Sequence, residues 1–139
     1  MRVLKYGARL GLAVAAILAG SLTAAAPANA ATPVSVCGGG SYRVIDSRNL
    51  GGIATLYLLY NGRTNCVVTW KTVDIGIKTL TQAGLNIWGR PFIVDSGMFA
   101  YYAGPVKVDA AGKCIGWAGI AHHNGKQEGW VADSPSHCG

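Results

Sequence analysis

Few residues in this chain could move a proton or hold a metal, and the densest group lies in Ala121–Trp130, AHHNGKQEGW. There two adjacent histidines, His122 and His123, precede Glu128. Histidine titrates near neutral pH and is a common metal ligand, so the pair raises the question of acid–base or metal chemistry. Its spacing argues against both. On a strand, neighbours point to opposite faces, so His122 and His123 cannot converge on one ion. A chelating pair would stand two apart on a strand or four apart on a helix. Asn124-Gly125, directly after the histidines, is a strong signal for a two-residue hairpin. Across such a turn His123 could meet Glu128, and His137 could approach only by folding back. The segment is expected to be an exposed hairpin joining the last two strands, with no metal site.

The acids add no second centre. Hydrolysis of a glycoside needs two carboxyls facing across a cleft. Asp46, Asp74, Asp95, Asp109, Glu128 and Asp133 mostly flank short apolar bursts, where aspartate commonly closes a bend. VDSG, Val94–Gly97, holds Asp95 and Ser96 but lacks the G-x-S-x-G elbow, and reads as a turn. CGGGS, Cys37–Ser41, lacks the Lys-Ser/Thr of a phosphate loop. No catalytic residue, metal ligand set or cofactor is expected. Four tryptophans, Trp70, Trp88, Trp117 and Trp130, form the candidate surface-binding set. Some must fill the core of so small a domain, but two or three on one face would suit sugar rings or a partner surface.

These side chains need a scaffold, and its limits are set at the N-terminus. Arg2, Lys5 and Arg9 precede an apolar run and then Ala28-Asn29-Ala30, the pattern of a secretory signal peptide cut after Ala30. The run is shorter than the ~20 residues of a spanning helix. Residues 31–139 are then expected to form one secreted β domain. It keeps nine Lys and Arg against six acids, scattered without a basic run, which argues against nucleic acid as a partner.

All four cysteines, Cys37, Cys66, Cys114 and Cys138, lie in that domain. With no C-x-x-C pair for zinc and no cysteine left over, two disulfides are expected. Bursts rich in Val, Ile, Thr, Tyr and Trp between Gly and Asn predict an all-β fold, a small disulfide-linked antiparallel sandwich or barrel. Strands are expected at Ser41–Asp46, Ala54–Tyr60 (central in a sheet), Cys66–Val73, Ala100–Ala110, Cys114–Ile120 and Glu128–Ala132. Asn61–Asn65 is expected to be a hairpin loop. Ile77–Trp88 fits a helical face, but its threonines and central Gly84 favour strand, turn, strand. Three cysteine pairings are possible. A meander of the first three strands favours Cys37–Cys66, and the last hairpin favours Cys114–Cys138.

Two stretches, YRVIDSRNLGGIATLYLLYNGRTNCVVT (Tyr42–Thr69) and YAGPVKVDAAGKCIGWAG (Tyr102–Gly119), resemble the spore-associated protein A family of small exported actinomycete proteins. The cysteine layout and the leader agree with it. The resemblance implies a protein of the spore or cell surface rather than an enzyme, and it brings no catalytic motif. The expected function is adhesion to spore or cell-wall components, or self-association, through exposed aromatic and strand-edge surface. The alternative is a small secreted binding module or protease inhibitor presenting Gly89–Gly97 as a rigid loop.

Overall fold

The computed structural model describes residues 30–139, so the expected signal peptide lies outside the described residues but for Ala30. A one-turn helix, α1 (Pro33–Cys37), opens the chain. It starts where Thr32 and Ser35 form a reciprocal capping box, with proline in the first turn.

Eight strands follow: β1 (Arg43–Leu50), β2 (Ala54–Tyr60), β3 (Thr64–Lys71), β4 (Thr79–Ile87), β5 (Ile93–Phe99), β6 (Tyr102–Asp109), β7 (Ile115–His123) and β8 (Lys126–Val131). They make two four-stranded sheets, β1-β2-β3-β6 and β5-β4-β7-β8, antiparallel throughout. The fold is the sandwich of the two architectures expected. Between the sheets lie Leu50, Leu56, Leu58 and Val67 from the first and Ala83, Leu85, Ile115 and Trp117 from the second. The Thr69 hydroxyl crosses this layer to donate to the Gln82 carbonyl at 2.6 Å. Gly119 faces it, and a Cβ there would stand 2.6 Å from that hydroxyl and 2.8 Å from Leu56.

β2 and β3 are apolar on both faces because the outer face of their sheet is covered as well. Leu59, Cys66 and Val68 pack there under α1, together with Tyr42, Tyr57, Trp70 and Tyr102. The β2–β3 loop is held by the Asn61 side chain, which accepts from the backbone N–H of Arg63 at 3.0 Å and Thr64 at 2.7 Å.

Four expectations are corrected. Ile77–Trp88 does not turn at Gly84: β4 runs unbroken from Thr79 to Ile87. The Phe92 ring lies over that glycine, where a Cβ would stand 3.2 Å from it. Likewise Val94–Gly97 is not a turn, and Gly89–Gly97 is not a free loop. Residues from Ile93 onward pair with β4 as an edge strand, and the Asp95 carboxylate accepts from the Gly104 N–H at 2.8 Å. The first strand also runs to Leu50, four residues beyond its expected end.

The disulfides join Cys37 to Cys66 and Cys114 to Cys138. Their surroundings differ. Cys37 and Cys66 are fully buried, whereas Cys138 is exposed on the tail after β8. Mild reductant in the folded state should therefore open Cys114–Cys138 first. Alkylation and peptide mass mapping over a reductant series should find Cys114 and Cys138 labelled while Cys37 and Cys66 stay protected.

Candidate interaction surface

The residues with chemistry are placed apart. His122 and His123 sit at the end of β7, and the turn after them is Asn124-Gly125 with both residues at positive φ (49° and 74°). His123 meets Asp74, with Nδ1 2.7 Å from its carboxylate, while its Nε2 lies 3.1 Å from the Asn124 side-chain nitrogen. The amide donates to Nε2, which leaves the Nδ1 proton to Asp74. Both ring nitrogens are thus engaged, and no nucleophile stands beside them.

His123 does not meet Glu128 across the hairpin. Register places His123 opposite Lys126 and Glu128 opposite Ala121, so the carboxylate pairs with Lys126 at 2.7 Å instead. His122 points to the other face, with its Nε2 buried and unpartnered. His137 returns to β1 and lies 3.1 Å from Asp46. Among the described residues, no three His, Cys, Asp or Glu side chains are grouped to hold a metal ion.

Asp46 also receives Arg48 at 2.8 Å, and the Arg48 guanidinium lies 4.8 Å from the Trp130 ring and 5.4 Å from Trp117. With the edge-to-face contact of the two tryptophans, this group ties β1 to β7, β8 and the C-terminal tail. It is a clamp between sheet edges.

Lys71 is the one buried cation among the described residues, 3% exposed at the end of β3. Its ammonium donates to the carbonyls of Asp74 and Phe99, each at 3.0 Å, and to that of Ile77. Burial lowers its pKa below the ordinary 10.5, partly opposed by the Asp74 charge. This residue gave no signal in the sequence beyond a lysine after an apolar strand.

The four tryptophans do not share a face. Trp117 is 1% exposed and belongs to the core, so its place in a surface-binding set is corrected. Its position between the sheets on β7 alternates with Gly116 and Ala118, a phase the flat apolar run Cys114–Ile120 does not reveal. Trp70 stands on the first sheet stacked on Tyr102, with ring centroids 4.9 Å apart and planes within 6°. Two rings stacked across neighbouring strands occupy one face of each other. Trp130 is half-buried beneath Arg48. Only Trp88 is exposed, at 40%, and its ring passes 3.3 Å from where a Gly116 Cβ would stand.

Trp88 lies on the outer face of the β5-β4-β7-β8 sheet. Strand alternation and register put Leu80, Gln82, Val94, Ser96, Met98, Ile120, His122, Gln127 and Val131 outward there. None is Lys, Arg, Asp or Glu. Val94, Met98 and Val131 are each more than half exposed, and Phe92 joins Trp88 in lying over a glycine of the sheet. Among the described residues, no helix covers this face as α1 covers the other sheet, the β4–β5 loop lays only Trp88 and Phe92 over it, and no helix is long and apolar enough to cross a membrane.

No family model matches the chain, and no solved structure matches it significantly. It is 39% identical, over 136 aligned residues, to a protein named spore-associated protein A from Streptomyces coelicolor. The alignment spans 91% of this chain and 84% of that relative.

Proposed function

Because this chain belongs to the spore-associated protein A family, we propose that it is exported and held on the spore or cell surface, where it adheres without catalysing a reaction. The observation that supports this most directly is the apolar outer face of the β5-β4-β7-β8 sheet, with Trp88, Phe92, Val94, Met98 and Val131 exposed. An apolar patch of this kind on a small exported protein marks a contact surface. Two disulfides suit an oxidising compartment outside the cytoplasm. The separation of His123, Glu128 and His137 favours a non-catalytic role.

Adhesion through an apolar face carries a specific expectation. Salt screens charge but strengthens apolar contact. Successive washes of spores should therefore leave the protein in place at high salt and release it with non-ionic detergent, followed by immunoblotting of each wash. Recovery of all the protein free in the culture medium, with none on spores or walls, overturns the proposal. Release by salt alone would reassign the contact to charged surface elsewhere.

A further inference from the structure

Each sheet of a sandwich has two edges, and an edge strand with free backbone groups invites pairing unless charge, proline or a bulge blocks it. Three of the four edges here are blocked. β1 carries Arg43, Asp46 and Arg48 and a bulge between Val44 and Asp46. β6 carries Pro105, Lys107 and Asp109, and β8 carries the Lys126–Glu128 pair.

β5 has no proline and no bulge. Its single charge, Asp95, turns inward to accept from the Gly104 N–H. Its apolar side chains face solvent, with Ile93 56%, Val94 52% and Met98 59% exposed. We propose that two copies of this chain pair edge to edge through β5, antiparallel about a two-fold axis at Ser96, to join their β5-β4-β7-β8 sheets into one. The proposal deepens the surface reading above, since it names the strand through which an assembling protein would join its copies.

The register follows from side-chain chemistry. With the axis at Ser96, Val94 of each copy faces Met98 of the other, Ile93 faces Phe99, and Asp95 faces Gly97. Every large residue then has an apolar partner on its own face of the sheet. An axis at Asp95 would oppose two like charges, and an axis between residues would set outward positions against inward ones. The occupant is a second copy because this register makes β5 complementary to itself, each large side chain meeting an apolar partner from the other strand. A seven-residue edge buries less than a standard stable interface, so the equilibrium is weak in solution and strengthens where copies are concentrated on a surface.

Sedimentation velocity of the exported chain over a wide concentration range tests this. The expected result is a concentration-dependent dimer, weakened roughly tenfold or more by Val94→Lys, which sets a cation against Met98 twice per dimer. Far-UV circular dichroism should show Val94→Lys folded. Under mild oxidation Ser96→Cys should form a disulfide-linked dimer, while Gln127→Cys on the β8 edge stays monomeric. A wild-type monomer at every concentration, a dimer insensitive to Val94→Lys, or equal cross-linking of the two cysteine variants overturns the pairing. A monomer still retained on spores overturns the pairing alone, and a dimer found only in the medium overturns the surface reading alone.

Discussion

Replacing Lys71 with methionine is expected to lower the melting temperature by roughly 10–15 °C, although methionine matches the lysine in length and suits a buried site. The reason is where its three hydrogen bonds go. Asp74 and Ile77 belong to the crossover from β3 to β4, and Phe99 ends β5 just before the crossover to β6. The Lys71 backbone N–H adds a bond to the Tyr101 carbonyl at 3.0 Å. One residue thus gathers two of the three chain passages between the sheets. Without the ammonium, three carbonyls lose their donor, at about 1–3 kcal/mol for each that stays buried and unpaired. Relief of the buried charge offsets part of that, for a net of about 3 kcal/mol.

The same site predicts a pH dependence whose sign is set by the lowered pKa. The folded state holds this proton more weakly than the unfolded chain, where the lysine titrates near 10.5. Stability from Lys71 should therefore rise as pH climbs from below the folded pKa towards 10.5, and level off above it. Thermal melts of wild type and Lys71→Met between neutral pH and 10.5 isolate the effect, because tyrosines and other lysines contribute equally to both. The gap between the two proteins should widen with pH. A constant gap would mean that the buried amine carries no proton-linked cost.

The legible parts of the fold were those where one physical signal dominates. Asn124-Gly125 and Asn61–Asn65 announce their turns, because asparagine and glycine adopt what those turns require at little cost. Ala54–Tyr60, apolar on both faces, was legible as a central strand because only a covered sheet needs such a run. Gly84 and Val94–Gly97 misled for a common reason. Glycine and Asp-Ser are turn residues by propensity, but here Gly84 makes room for the Phe92 ring and Asp95 finds a partner on β6. Both causes are tertiary and leave no local trace. The tryptophans were ambiguous in the same way: which face a strand residue takes depends on a register that the sequence does not print. Among the residues of the outer sheet face, Val94 and Met98 gave no warning at all, since exposed apolar side chains look like core in sequence.

Removing Cys37 and Cys66 together, as Cys37→Ala with Cys66→Ala, should be the most damaging change to the scaffold, and far more damaging than removing Cys114 and Cys138. Loop-closure entropy alone barely separates the two links. The sequence separations are 29 and 24 residues, and each link is worth about 3–4 kcal/mol in the chain-entropy model. The difference lies in what each holds. Cys37 ends α1, and Cys66 sits opposite Leu59 in the middle of the first sheet, so their bond pins the helix over Leu59, Val68 and the Trp70–Tyr102 stack. A five-residue helix cannot hold that position by its own stability, because helices so short are marginal in water. Once the link is lost, the helix should leave and expose an apolar sheet face that nothing else covers. The link from Cys114 holds only the tail, which keeps backbone bonds between Ile115 and Ser136 at 2.9 and 3.1 Å. The expected outcome is a melting temperature lower by more than roughly 15 °C with marked binding of a hydrophobic dye for the first pair, and a smaller loss without dye binding for the second. Equal losses in the two variants would show that entropy of the unfolded chain, rather than the docking of α1, is what the disulfides supply.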